Sequence, residues 1–446
     1  MKKRIVSLLF AALFILACLF PFAGLLITGG AEAGANEVLA ARPSLTGRDG
    51  RLNAAYLSQG ADYVADRFFL RQEAVTLWAK LNAALFRTSV TESVVLGNNG
   101  WLYYEPTLPD YTRSEPMTGR ELWCAARTLY LLQEYARGQG AEFLFTVAPN
   151  KNSLYDENMP ALARMEGPSN AQALHRLLDG MGVAYLDLFA VFEAQDEVLF
   201  FAGDSHWNGR GAALAGDAIL AALGRESGFF AGPFAGGTHT GDLYEMLYPA
   251  GKEAEADFVY APGFTFAASS QNPDNPSITA RGNGEGRLLC YRDSFGRNLY
   301  PYLAESFAES VFSRKNDYAP GELSAGDCLV VELVERNLRY LNANPPTLPA
   351  AERTADIAGA VVQGNAAISF SPCSLQDYVN VRGNFTGLLH SEAAMVYIEA
   401  DGVLYEAVPL PGGFSACIPG SPDDVPAVAV YVGEDGNLFR PEIVQP

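Results

Sequence analysis

The sequence predicts an α/β fold, a largely parallel sheet covered by helices on both faces, followed by a small antiparallel β region. Three observations carry this reading. Apolar runs at residues 143–147, 183–189, 287–291 and 328–333 lack polar alternation, as do strands buried on both faces. Stretches with helical spacing of apolar residues, at 119–138, 171–180, 211–223 and 298–308, lie before and between them. Beyond a proline-bearing stretch at 342–355, with Pro345, Pro346 and Pro349, short alternating segments appear at 367–370, 377–381, 394–398, 403–407 and 427–432. Turns of glycine and proline separate them, which predicts a sandwich-like β domain.

The first segment is a targeting signal. Lys2-Lys3-Arg4 precedes an apolar run from Ile5 to Ile27, and Ala31-Glu32-Ala33 follows as a small-residue cleavage site. The run is long enough to span a bilayer, so it serves either as a cleaved signal peptide or as a retained membrane anchor. In both cases the basic residues stay in the cytoplasm and the rest of the chain lies outside. Ile15-Leu16-Ala17-Cys18 resembles a lipoprotein site, but apolar residues continue well past Cys18, which argues against lipidation. The expected division is thus 1–33 as signal or anchor, 34–350 as the α/β domain, and 356–446 as the β-rich domain.

Residues 54–86 read as one helix, with Tyr63-Val64 and Phe68-Phe69-Leu70 set among Asp62, Asp66, Arg67 and Arg71. Asn98-Asn99-Gly100 predicts a turn before Trp101-Leu102-Tyr103-Tyr104. Gly138 and Gly140 are stops for the 119–138 helix. The segment 262–285, rich in Pro, Gly, Ser and Asn, reads as a long excursion from the sheet.

A hydrophobic fraction of 49% and a charged fraction of 18% over 446 residues describe a folded chain. The net charge of −20 excludes the basic surface that nucleic acid requires, and also a polybasic patch held to anionic lipid. Of six cysteines, Cys18 lies in the leader, which leaves an odd number, so at least one of the rest is not paired within the chain. Cys290 and Cys328 sit in apolar runs and read as buried, and Cys373 with Cys417 is the pair expected as a disulfide.

Two runs offer chemistry: Gly203-Asp204-Ser205-His206-Trp207-Asn208 and Tyr291-Arg292-Asp293-Ser294-Phe295-Gly296. Acyl transfer through serine needs an oxygen nucleophile, a histidine to take its proton and an acid to orient that histidine. The chain has four histidines, His175, His206, His239 and His390, so few other bases exist. In covered parallel sheets, ligands bind beyond the carboxyl ends of the strands, and both Ser294 and Asn150-Lys151-Asn152 follow predicted strands. Blander readings stand beside these. Asp204 and His206 with His239 could ligate a metal, Ser294 could be a helix N-cap, and Asp293 could be the acid. Gly203-Asp204-Ser205 also matches the Gly-Asp-Ser of lipase-like hydrolases, but adjacency hinders His206 from reaching the Ser205 hydroxyl, so Ser294 is preferred.

The two runs together resemble the signature of the alginate-type polysaccharide O-acetyltransferases, the AlgX/AlgJ-like proteins and their Gram-positive DHHW relatives. Asp66-Arg67-Phe68-Phe69-Leu70-Arg71, Gly97-Asn98-Asn99-Gly100-Trp101-Leu102-Tyr103 and Val147-Ala148-Pro149-Asn150-Lys151-Asn152-Ser153-Leu154-Tyr155 also resemble that family, over roughly residues 55–340. The resemblance implies a permuted SGNH-hydrolase-like domain without cofactor or metal. It implies Asp204 orienting His206, His206 as base and Ser294 as acyl-bearing nucleophile. Ser205 stands where the Gram-positive relatives often have histidine. No Gly-x-Asn-Asp block is present, so Arg292, Asn208 and Lys151 join the Ser294 backbone N–H as oxyanion or substrate candidates, with Trp207 a candidate wall of a sugar site. The implied partners are a polysaccharide acceptor and an acetyl donor served by a membrane-bound O-acyltransferase. An acetyl esterase with the same triad, and a non-catalytic glycan-binding or assembly protein, are the competing functions.

Overall fold

Two sheets organise the chain in a computed structural model that describes residues 2–30, 38–47, 50–421 and 426–444; side chains at 2, 3, 17, 18 and 21 are not among those described. The expected cleavage site at residues 31–33, the Cys18 side chain and the Lys2 and Lys3 side chains therefore lie outside the described residues.

The first sheet has seven strands in the spatial order Tyr185–Leu186, Glu142–Ala148, Cys328–Val334, Arg287–Tyr291, Glu309–Ser313, Ser277–Arg281 and Ala267–Ala268. The first five are parallel and the last two antiparallel. Every residue of Cys328–Val334 is buried, because the strand is central and covered on both sides. Alternate side chains face opposite layers. Leu144, Leu288 and Val330 pack with Ala212 and Ile219 of the helix Gly209–Ala222 and with Leu299 and Leu303 of the helix Gly296–Ser306. Phe143, Phe145, Leu329 and Val331 pack with Leu129 and Leu132 of Gly119–Gly138 and Leu174 and Leu178 of Asn170–Met181. The α/β class and its covered, mainly parallel sheet are thus as the apolar runs predict.

Local chemistry corrects several boundaries. The expected strand at 183–189 pairs only at Tyr185–Leu186, because Asp187 accepts a hydrogen bond from the Ala190 backbone N–H and starts the helix Leu188–Glu193. The expected helix at 54–86 is two helices, Tyr56–Arg67 and Arg71–Phe86, broken where Leu70 adopts a left-handed φ of 62°. The segment 262–285 is more than an excursion: it supplies the antiparallel edge strands Ala267–Ala268 and Ser277–Arg281. In the proline-bearing stretch 342–355, Ala351–Arg353 already belongs to the second sheet.

That second sheet runs Ala351–Arg353, Val403–Glu406, Met395–Ala400, Val428–Glu434, Asn437–Val444, Val361–Pro372, Tyr378–Thr386, Gly413–Pro419 and Val408–Leu410. All neighbours are antiparallel except Val361–Pro372 with Asn437–Val444. Val396, Ile398 and Val430, from one half of this order, share a core with Val379, Val381, Phe414 and Ile418 from the other half. One continuous sheet therefore curls over itself, and that is how it reaches sandwich-like packing. Cys373 and Cys417 come together as expected, but as free thiols with their sulfurs 3.1 Å apart.

The leader forms a helix, Lys2–Thr28, whose Leu25 is buried and whose Phe20 meets Phe69 edge-on at 5.7 Å. Among the described residues no helix is long and apolar enough to cross a membrane.

Ion pairs join the helix Gly119–Gly138 to the second sheet. The Glu406 carboxylate, its side chain 1% exposed, accepts from Arg127 Nε and Nη2 at 2.6 and 2.7 Å and from Arg353 Nε at 2.7 Å. Arg353 also donates to both oxygens of Glu134, on the same helix as Arg127. Removing one partner of such a network leaves uncompensated charge behind. Glu406→Ala is therefore expected to lower unfolding free energy by about 3–5 kcal/mol, read from urea denaturation. An unchanged midpoint would contradict this role.

Candidate active site

The site is assembled from two turns at the carboxyl end of the first sheet. The strand Arg287–Tyr291 leads into Ser294, and the helix Gly296–Ser306 follows at once. Asp293 shapes this turn. Its Oδ1 accepts from the Phe295 N–H at 2.9 Å, and its Oδ2 accepts from the Val334 N–H at 2.7 Å and from Asn337 Nδ2 at 2.8 Å. A side chain at Gly296 would strike Arg292, whose Cδ lies 2.4 Å from where a Cβ would sit. Ser294 does not cap the helix: Phe295 holds the cap position, and the Ser294 hydroxyl makes no hydrogen bond among the described residues. The N-cap reading of this serine therefore fails, and so does the reading of Asp293 as the triad acid, since both its oxygens already hold the turn.

The second turn presents Asp204 and His206. Asp204 Oδ1 bonds His206 Nδ1 at 2.7 Å and the His206 N–H at 2.9 Å. Its Oδ2 bonds His239 Nε2 at 2.7 Å and the Asp242 N–H at 2.9 Å. Burial opposes the charge on Asp204, yet the bonds from His206 and His239 hold it well below the usual carboxylate range. His239, which stacks on Phe201 at 4.2 Å, is shifted up: burial works against its charge, and Asp204 more than offsets that. Asp242 is raised by burial and by the neighbouring Asp204 charge.

With Nδ1 held, the other ring nitrogen of His206 is left over. His206 Nε2 is buried without a hydrogen-bond partner, and the ring packs on Phe295, next to Ser294, at 4.9 Å between centroids. Ser294 and His206 both line one cavity of about 850 Å³. Ser205 lines it too, and adjacency does not keep its hydroxyl from the imidazole: Ser205 Oγ lies 3.1 Å from His206 Nδ1. That nitrogen is the one held by Asp204, however, and the Ser205 hydroxyl donates to Asp242 Oδ2 at 2.7 Å.

The oxyanion and sugar-contact roles expected for four further residues do not match their placement. Lys151 Nζ, fully enclosed, donates to the backbone carbonyls of Phe201, Ala202 and Asp204 at 2.5–3.0 Å; burial pushes its ammonium down to about 7 against the pull of Asp204, Asp242 and Glu255. Asn208 caps the helix Gly209–Ala222, accepting from Arg210 and Gly211 N–H and donating to the Val198 carbonyl. Trp207 is wholly buried, stacked on Phe192 and edge-on to Phe295. Arg292 is buried and donates to the Pro273 and Asp293 carbonyls. These four build the turns and do not line the cavity.

The residues that do line it include several that sequence reasoning missed: Arg297, Arg314, Arg336, Tyr104 and Asp242. Arg297 and Arg314 share Asp274, at 3.7 and 3.0 Å, while Arg336 lies over the Tyr104 and Phe295 rings. No local pattern marks such arginines. The His239 and Asp242 stretch was visible, but as a metal recruit. Asp204, His206 and Asp242 do lie close enough to share a cation, within 4.8 Å. Their atoms are instead directed at one another through the hydrogen bonds above, an arrangement suited to holding a proton on Nδ1.

Beside Arg336, the fully buried Glu335 accepts from Ser153 Oγ at 2.6 Å and the Asn150 N–H at 3.2 Å, bracing the strand end that carries Lys151. Burial, then the Asp110 charge, raises it from 4.5 to about 7. A group raised on folding favours the fold when protonated, so this contribution is full below pH 4.5 and is lost as pH rises through about 7. Denaturation between pH 5 and 8 is expected to show a decline in stability that Glu335→Gln reduces. An identical slope in the variant would refute it.

Residues 94–252 match the family model described as "ALGX: SGNH hydrolase-like domain, acetyltransferase AlgX", a stretch that includes Asp204 and His206 but ends before Ser294. No curated protein matches the chain. Among solved structures, PatB1 of Bacillus cereus with a sulfonyl adduct is 17% identical, covering 55% of this chain and 97% of its own, with a TM-score of 0.43. A DHHW family protein from Eubacterium siraeum is 15% identical over 57% and 99%, TM-score 0.41. Pseudomonas aeruginosa AlgX is 14% identical over 78% and 94%, TM-score 0.36. Residues 94–252 are thus similar to the SGNH hydrolase-like domain of the acetyltransferase AlgX.

Proposed function

We propose that the protein is an exported serine-dependent O-acetyltransferase acting on a cell-surface or extracellular polysaccharide. One observation carries the reading: His206, with Nδ1 held by Asp204 and Nε2 unpartnered among the described residues, lines the same cavity as a serine whose hydroxyl is free of cap duty. An imidazole so oriented takes a proton at Nε2 and is steadied as imidazolium by Asp204. The similarity of residues 94–252 to the AlgX acetyltransferase domain supports acetyl as the acyl group.

In this mechanism Ser294 Oγ attacks the donor acetyl carbonyl as its proton passes to His206 Nε2. The tetrahedral oxyanion is met by the Ser294 backbone N–H at the start of the helix Gly296–Ser306 and by the arginines of the cavity wall. The donor oxygen leaves with the proton from His206, and Ser294 carries the acetyl ester. A sugar hydroxyl then gives its proton to His206 Nε2 as it attacks the ester carbonyl, and the acetylated sugar departs as the Ser294 Oγ–acyl bond breaks and His206 returns the proton to Ser294 Oγ. The catalytic unit is residues 34–350. The apolar leader and its basic start support export with the leader as signal or anchor, and a membrane-bound O-acyltransferase is the natural source of acetyl on that side.

Ser294→Ala and His206→Ala are each expected to lower acetyl transfer on the order of 10⁴-fold or more, and Asp204→Asn about 10⁴-fold. The assay follows label from an activated acetyl ester into candidate glycans and into free acetate. Label found only as free acetate would favour the esterase. Full transfer by Ser294→Ala would overturn the nucleophile.

A further inference from the structure

The helix Arg71–Phe86 is built inside out. Its packed face carries small residues: Thr76, whose Oγ1 accepts from the Ala250 N–H, and Ala79, set against Val94, Leu102, Leu243 and Leu247. Its large apolar residues, Leu77, Trp78, Leu81, Leu85 and Phe86, are 45–69% exposed. The spacing of Leu77, Leu81 and Leu85 places them in one row, about 12 Å long at 1.5 Å per residue. A helix at the surface of a water-soluble domain turns its large apolar residues to the core, and this one turns them out.

We infer that this face lies on the membrane surface, with Leu77, Trp78, Leu81 and Leu85 in contact with lipid and the helix parallel to the bilayer. Two features favour lipid as occupant. The helix begins two residues after Phe69, which Phe20 of the leader meets edge-on, and the leader itself exposes Leu8, Phe10, Leu13, Leu16 and Leu26. Leucines around a tryptophan also suit the boundary between headgroups and acyl chains. With a net charge of −20 the chain has no general attraction to anionic headgroups, so the contact is apolar. Arg71 and Val75 of the same helix line the catalytic cavity. Lipid contact thus holds the cavity within about one helix diameter, ~10 Å, of the bilayer, where acetyl carried across the membrane arrives. The inference rests on the anchoring read from the leader, but not on the assignment of the triad.

The full chain is reconstituted in phosphatidylcholine vesicles with and without brominated acyl chains, and tryptophan emission is compared after flotation. Bromine-dependent quenching is expected in the wild type and lost in Trp78→Phe. Leu81→Asp is expected to reduce the quenching while leaving acetyl transfer to a soluble acceptor unchanged. Flotation without quenching, or quenching that persists in Trp78→Phe, overturns the inference and leaves the anchoring intact. A chain that does not float overturns both.

Discussion

The site depends on one buried carboxylate. Asp204 accepts four hydrogen bonds, from the backbone and ring of His206, from His239 and from the Asp242 backbone. A charge in that position is tolerable only because each lone pair has a donor. The arrangement holds Nδ1 of His206 and leaves Nε2 without a partner among the described residues. It also draws His239 and Asp242, from beyond residue 230, onto the turn at 204–206.

That carboxylate is held in turn by a loop with an internal cation. Lys151 gathers the carbonyls of Phe201, Ala202 and Asp204, and Glu255 accepts from the Ala202 and Gly203 N–H groups at 2.6 and 2.8 Å. Backbone groups of this loop are thereby held by two side chains of opposite charge. Lys151 arrives from the end of the strand Glu142–Ala148, so the sheet itself sets the height of the loop above the strand ends. Ser294 follows Arg287–Tyr291, on the other side of Cys328–Val334, and is clamped to that central strand through Asp293. Sheet register thus positions both halves of the site.

The −20 charge of the chain does not extend into the cavity, whose wall carries Arg71, Arg297, Arg314 and Arg336 beside Asp242, Glu245 and Asp274. In the proposed mechanism a developing oxyanion would meet a mixed wall with positive groups at hand, inside a molecule whose mean field would oppose it.

Much of this was legible in the chain. Unalternated runs such as 328–333 announced a covered sheet because burial on both faces removes the need for polar positions. Asp204, His206 and Ser294 were legible as residue types that perform one chemistry, sharpened by their place after strands and by flanking resemblance. The break at Leu70 was not, since a single left-handed residue leaves no periodic trace, and neither was the sheet edge formed by 262–285, where pairing overrides a turn-rich composition. The roles of Lys151, Asn208, Trp207 and Arg292 were misread because a polar or aromatic residue near a motif looks the same whether it faces substrate or backbone. Sequence by itself determined the main covered strands, their helices and the candidate reactive groups, which depend on local periodicity and chemistry. Only the tertiary structure decided which groups share a cavity, because hydrogen-bond partners such as His239 and Asp242 are chosen by proximity in space, and nothing local encodes that.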